Sequence, residues 1–279
     1  MPLVDDPVAL AAVVATGLAH WGGAAEWRRH TGRAMMRPAE AWSFVAGLAV
    51  TAAAVASPID ALADRTLSAH MVQHVLLLSV AGPLLALGAP FPALLWALPP
   101  SWRPRALSVR RRLQSHHDRH FPSWVISLLA LQAAVMWAWH IPVAYQAAVH
   151  NSAIHAAEHL SFLLVSTAAW WSVVTGRRSR RGAAAVAALM GSVPGIVLGS
   201  AMVLAPNPWY PLYVHGGNLG AALVDQQVAG VIMWAFGGMA TVVVGAGLFK
   251  SWLSRAELSE PVVVAPIRPP VRSQPGVAR

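Results

Sequence analysis

Seven separate stretches of this sequence stay apolar for about 20 residues, the length a helix needs to cross a bilayer. They lie at residues 7–25, 38–56, 66–88, 123–141, 151–175, 182–205 and 221–249. Within lipid a spanning backbone must satisfy its own hydrogen bonds, and runs of this length do so as helices. The expected fold class is therefore all-α: a polytopic integral membrane bundle of seven transmembrane helices, filling one domain from residue 1 to 253. Composition agrees, since 56% of the 279 residues are hydrophobic and only 11% are charged, which is too apolar for a soluble domain. Asp5 and Asp6 precede the first run where a secretory leader would carry basic residues, so that run is expected to be a retained helix. Residues 254–279 hold Pro261, Pro266, Pro269, Pro270 and Pro275 and no long apolar run, and are expected to form a disordered tail. The chain has no cysteine, which excludes disulfides and thiolate metal ligands.

The net charge of +9 raises the question of a nucleic-acid partner, and the positions of the basic residues answer it. Nineteen of the twenty fall between the first and second runs (Arg28 to Arg37), the third and fourth (Arg103 to Arg119), the fifth and sixth (Arg177 to Arg181), or after the seventh; only Arg65 lies elsewhere. Lys and Arg are retained on the cytoplasmic side of membrane proteins, which predicts the N-terminus outside and the C-terminus inside. The same charges suit anionic headgroups of the lipid bilayer, and no aromatic-basic motif for nucleic acid is present.

This orientation sorts the histidines. His70 and His74 begin the third run, His140 ends the fourth, and His155 and His159 begin the fifth, all at the outer level. Positions i and i+4 of a helix lie about 6 Å apart on one face, so His70 with His74, His155 with His159, and Met136 with His140 form vertical pairs. Met71 lies three residues before His74, close to the same face. A lone buried histidine is ordinarily a hydrogen-bonded packing residue. Several imidazoles in low dielectric would each cost a few kcal/mol without partners, so a cluster calls for a shared partner or a wet cavity.

Histidine and methionine without cysteine suit a copper ion, Cu(I) or Cu(II), better than zinc or iron, because thioethers favour Cu(I) and imidazole accepts both oxidation states. Zinc on the histidines alone stays open. Glu158 is a candidate for orienting an imidazole, or a carboxylate at the headgroups. Asp225 and Gln226 open the seventh run at the same outer level, as supporting polar groups or as a plain helix-start charge. Gly191, Gly195 and Gly199 form a close-packing stripe, with Pro194 bending the helix, and Gly82 with Pro83 is read likewise. Met202 and Met233 are possible soft ligands, though unpaired methionines are more often core. "HHDRH" (His116, His117, His120) sits among arginines that would repel a cation and is expected to be solvated or interfacial.

Three stretches together resemble a known family: "SPIDALADRTLSAHMVQHVLLLSVAGPLLALGAP" (Ser57 to Pro90), "WHIPVAYQAAVHNSAIHAAEHLSF" (Trp139 to Phe162) and "DQQVAGVIMW" (Asp225 to Trp234). In this order they are similar to the multi-span CtaG assembly factors of cytochrome c oxidase, associated with Bacillus-type oxidases and distinct from the single-span, cysteine-bearing copper chaperone of the same name. The resemblance implies a multi-pass protein of the bacterial plasma membrane, not an enzyme, that helps mature a haem-copper oxidase by handling copper and meets the oxidase subunits during assembly. It carries over onto His70, Met71, His74, His140, His155, Glu158, His159, Asp225 and Gln226. The expected ligands are His70, His74, His155 and His159, with Met71 and His140 as alternates and Met136 as support, in a site on the extracytoplasmic side. Whether the protein is a homodimer is open.

Two other functions use similar residues. Membrane di-iron oxidoreductases also carry HxxxH boxes, but with about eight histidines, an HxxHH box and a cytoplasmic site. A b-type haem protein needs one histidine from each of two helices.

Overall fold

The computed structural model describes residues 7–175 and 180–256, and every regular element among them is helical. The helices are α1 (Pro7–Thr31), α2 (Pro38–Val55), α3 (Pro58–Ala63), α4 (Leu67–Val75), α5 (Gly82–Leu87), α6 (Pro90–Ala97), α7 (Arg103–Arg119), α8 (Phe121–Trp139), α9 (Pro142–His150), α10 (Ser152–Val174), α11 (Arg181–Gly191), α12 (Val193–Leu204) and α13 (Leu219–Ala256). A π-helical turn (Leu76–Ala81) joins α4 to α5, and two 3₁₀ turns (Pro211–Tyr213 and His215–Gly217) lead into α13. Proline opens many of them, at Pro38, Pro58, Pro90, Pro122, Pro142 and Pro194, where its missing N–H would have had no helical partner. The expected tail lies outside the described residues from 257 onward.

Among the described residues, five helical stretches are long and apolar enough to cross a membrane: Pro38–Val55, Leu67–Leu87, Phe121–Trp139, Arg181–Leu204 and Leu219–Lys250. The other two expected spans correspond to α1 and α10, whose 25 and 23 residues also reach across a hydrocarbon core of about 30 Å. Their polar residues dilute them: Glu26, Arg28 and Arg29 in α1, and His155, Glu158 and His159 in α10. The outer surface is apolar, with Trp42, Leu164, Leu204 and Val243 exposed, as suits a bundle solvated by lipid.

The third expected span is a single rod broken by its π turn, and its sequence explains the break. The Gly82 N–H reaches back to the Leu77 carbonyl, so in the same register Leu78 would need an N–H from residue 83, which is proline. Ser166 of α10 supplies the missing donor, its hydroxyl bonding the Leu78 carbonyl at 2.6 Å. A Cβ at Gly82 would collide with that hydroxyl, so the glycine is what lets α10 approach. At the other side of the bundle α12 crosses α13 at Gly199 and Gly230, where a Cβ on either would press 2.5 Å from the other's carbonyl oxygen. Gly191 packs against Leu129 in the same manner, whereas Gly195 faces open space and takes no part in the expected stripe.

The "HHDRH" stretch departs from expectation at one residue. It ends helix α7, and His116 and His120 are exposed, but His117 is buried and its Nε2 lies 3.0 Å from the Ser172 carbonyl near the end of α10. Two apolar clusters hold the bundle. One, with Leu67, Leu77, Phe162 and Met202, surrounds α4 and the histidine-bearing end of α10; the other, with Ala86, Phe121, Val125 and Val173, packs the far end of α10 against α5, α8 and α11.

Candidate metal centre

Helix α4 is started with unusual care. Thr66 Oγ1 accepts from the Ala69 N–H at 3.4 Å, and Asp225, 158 residues away on α13, accepts from the N–H groups of Leu67 (2.6 Å) and Ser68 (3.2 Å). A carboxylate on free helix-start amides satisfies donors that no helical carbonyl can reach and complements the dipole. Asp225 thus fixes the start of the helix that carries His70 and His74. Gln226 does similar work for the outer loop, accepting from Trp209 N–H at 2.6 Å and donating to the Met202 carbonyl at 3.2 Å.

On α4 and α10 the two histidine pairs face each other. The rings of His70 and His74 are 4.5 Å apart, those of His155 and His159 4.1 Å, and across the helices His70 lies 5.2 Å from His155 and 6.2 Å from His159. Glu158 points between them, with one carboxylate oxygen 3.8 Å from His70 Nε2 and the other 3.4 Å from His74 Nε2. Ligand-capable atoms of His70, His74, Glu158 and His159 all fall within 4.8 Å of one another. These four side chains are buried, while His155 is half-buried at the edge of the set.

The set is short of partners. His70 Nε2, both ring nitrogens of His74, His155 Nε2, His159 Nε2 and both Glu158 oxygens are buried without a hydrogen bond. Each such orphan costs about 1–3 kcal/mol, more for a charged group, and one ligand atom from each of His70, His74, Glu158 and His159 lies within 4.8 Å of the others, which describes a place built for something that binds all four. A cation coordinated by imidazole nitrogens and a carboxylate oxygen would do so.

His140 and Met71 form a second element. His140 Nδ1 sits 2.7 Å from the Met136 carbonyl, which only accepts, so Nδ1 carries the proton. In the neutral ring Nε2 is then a bare lone pair, and it faces Met71 Sδ at 3.3 Å, an atom with no proton to give. Two donors of electron density face each other, beside His74, whose ring is 5.2 Å from that of His140. Met136 serves here through its backbone.

Sequence reasoning did not anticipate the roof. All three tyrosines of the chain, Tyr145, Tyr210 and Tyr213, are buried beside the histidines, with the Tyr145 ring 4.8 Å from that of His70. Tyr210 donates to the His140 carbonyl at 2.8 Å and Tyr213 to the Ala63 carbonyl at 3.0 Å, which leaves Tyr145 to donate to Tyr213 at 2.9 Å. Burial pushes all three hydroxyls above the usual phenol range, so they remain neutral donors. Their only sequence signal was position, at the outer level, where tyrosine is ordinary in any membrane protein. Gln73, also unanticipated, donates to the Ala54 carbonyl (2.8 Å) and to Asp60 (2.7 Å), tying α4 to α2 and α3.

A family model described as cytochrome c oxidase caa3 assembly factor (Caa3_CtaG) matches residues 18–255, nearly all of the helical bundle. No curated protein and no solved structure matches the chain.

Proposed function

The chain belongs to the cytochrome c oxidase caa3 assembly factor family, and we propose that it serves the oxidase by holding a copper ion as cargo in the histidine–glutamate centre and passing it to an apo-oxidase subunit. The observation that carries this reading is that His70, His74, Glu158 and His159, all buried, bring one ligand atom each within 4.8 Å of the others, with nitrogens and oxygens that have no hydrogen-bond partner. His70, His74 and His159 with Glu158 are the inner donors; His155 at the half-buried edge, and the facing pair His140 and Met71, are the positions through which ligands exchange. One carboxylate and one monovalent ion sum to zero charge, which favours Cu(I) in a site cut off from water, since burying net charge is what lipid penalises most. Thioether and imidazole without thiolate hold copper and still let it go.

The centre works on the extracytoplasmic side of the plasma membrane, in a chain of seven spans with the N-terminus outside. That arrangement makes α1 and α10 spans and follows from the basic residues, nineteen of which lie on one side. The role needs no bond-making chemistry from the protein.

The test uses the His70→Ala, His74→Ala variant in the native host. The variant is expected to insert and accumulate, since removing two polar side chains from an apolar helix favours insertion, while the purified oxidase lacks copper and keeps its haem. A fully metallated, active oxidase beside an abundant variant overturns the proposal. An oxidase replete in copper but lacking haem moves the function to haem insertion.

A further inference from the structure

Helix α7 is pinned at its two ends and bare between them. At its start the Arg103 guanidinium donates to the carbonyls of Leu98 (2.9 Å) and Trp96 (3.0 Å). At its finish His117 Nε2 meets the Ser172 carbonyl, and Arg180 donates to the Asp118 carbonyl at 2.9 Å. Every residue from Ser108 to His116 is exposed. A short helix that packs against nothing is marginal in water, and the like charges of Arg110, Arg111 and Arg112 weaken this one further. Something outside the bundle has to cover it.

The pattern of the helix says what. Trp102, Ala106, Val109 and Leu113 return at spacings of four and three, within about 60° of one another at 100° per residue. Trp102, Val109 and Leu113 are 63%, 57% and 46% exposed, so this apolar stripe is uncovered along its length. Arg105, Arg112 and Arg119, each seven residues from the next, run along one flank of the stripe, and Arg110 lies on the other. Among the described residues none of these four arginines forms an ion pair. An apolar stripe flanked by unpaired arginines is the form of a helix lying at the boundary between acyl chains and headgroups of an anionic bilayer. Its place in the chain agrees, since only His120 separates α7 from α8, one of the long apolar helices. His116, seven residues on from Val109, has its ring 4.9 Å from that of Trp124 near the start of α8, so the stripe runs on to the side of that span. A nucleic acid would engage the arginines and leave the stripe bare.

We propose that α7 is an interfacial helix that binds anionic phospholipid of the cytoplasmic leaflet, with Trp102, Val109 and Leu113 among the upper acyl chains and Arg105, Arg112 and Arg119 on phosphate groups. The proposal is independent of which ion the metal centre holds. Guanidinium groups match phosphate oxygens two at a time, and an indole at headgroup level is where tryptophan is favoured. Because His117 of the same helix meets the Ser172 carbonyl, the leaflet that seats α7 also braces the far end of the helix that carries His155, Glu158 and His159.

The chain has no cysteine, so single cysteines placed in the full chain carry one spin label each: Val109→Cys on the stripe and Ser115→Cys on the polar face. The labelled proteins are reconstituted into vesicles of phosphatidylcholine alone or mixed with phosphatidylglycerol. Each label is read by its collisions with oxygen, which partitions into lipid, and with a nickel chelate, which stays in water. In the anionic vesicles the label at 109 is expected to meet oxygen and be shielded from the chelate, and the label at 115 the reverse. Replacing Arg105, Arg112 and Arg119 with glutamine is expected to raise collisions of the 109 label with the chelate at least about fivefold, the factor that one arginine's attraction to an anionic surface contributes. All these positions are exposed, and the unfolding temperature in detergent is expected to match the parent's. A label at 109 as open to the chelate as that at 115 overturns the docking, and one shielded from oxygen as well overturns it by showing the stripe covered by protein. Equal shielding in phosphatidylcholine alone and in the triple variant overturns recognition of the anionic headgroup.

Discussion

Replacing Glu158 with glutamine separates a ligand from a packing residue, because the structure predicts opposite signs for stability and for metal affinity. Both carboxylate oxygens are buried without a hydrogen bond. Neutralising them at constant shape relieves an uncompensated group, so the metal-free E158Q protein is expected to be more stable by about 1–3 kcal/mol. An ion held among donors no more than 4.8 Å apart sits about 3 Å from the carboxylate, where opposite unit charges attract by roughly 5 kcal/mol at an effective dielectric of about 20. Part of that attraction is offset by the cost of taking the ion out of water. A remainder of about 3 kcal/mol corresponds to at least a hundredfold rise in Kd. The assay is competition for Cu(I) against a chelator of known affinity in detergent, alongside thermal unfolding of the metal-free protein. A variant that binds copper as tightly as the parent refutes the argument, and one that loses stability as well as affinity shows Glu158 to be a structural carboxylate.

Two further changes test how the centre is held. Asp225→Ala removes the acceptor for two α4 amides and is expected to destabilise the protein by about 2 kcal/mol, with Asp225→Asn, which keeps one acceptor oxygen, losing about half as much by thermal unfolding; copper affinity falls in the same order. Gly82→Ala drives a methyl into Ser166 and is expected to lose about 1–3 kcal/mol, measured in the same way, and an unchanged unfolding temperature would show that α10 does not depend on that close approach.

The elements of this bundle were legible where one local pattern decides them. Apolar runs predict the helices, and four-residue spacing predicts that His70 pairs with His74 and His155 with His159. Which pairs face each other is a tertiary fact, and nothing local separates Glu158 as an inner carboxylate from Glu158 at the headgroups. Spacing puts Met71 near the face of His74, and which other helix it meets, that of His140, is again tertiary. For Asp225 the sequence leaves a supporting polar group and a charge at the start of its own helix equally open; it caps α4, the helix of His70 and His74. The π turn was hidden because its cause is split between Pro83 and a serine 88 residues from Leu78. His117 hid among charges, since burial of one face of a basic helix depends on the neighbour it lands on.

The reach of Asp225 back to Leu67 has a consequence for the order in which the centre comes into being. A chain emerges from the ribosome N-terminal end first, so the helices carrying every histidine of the cluster are made before Asp225, Tyr210 and Tyr213 exist. Until α13 arrives the first turn of α4 lacks two of its acceptors, and the centre lacks its roof. The nascent protein therefore has the donors but not the architecture, and copper met during synthesis finds only loose imidazoles. Completion of the last helix is what turns them into a site, so a chain truncated before Asp225 would carry every metal-binding histidine and still lack the means to hold them in place.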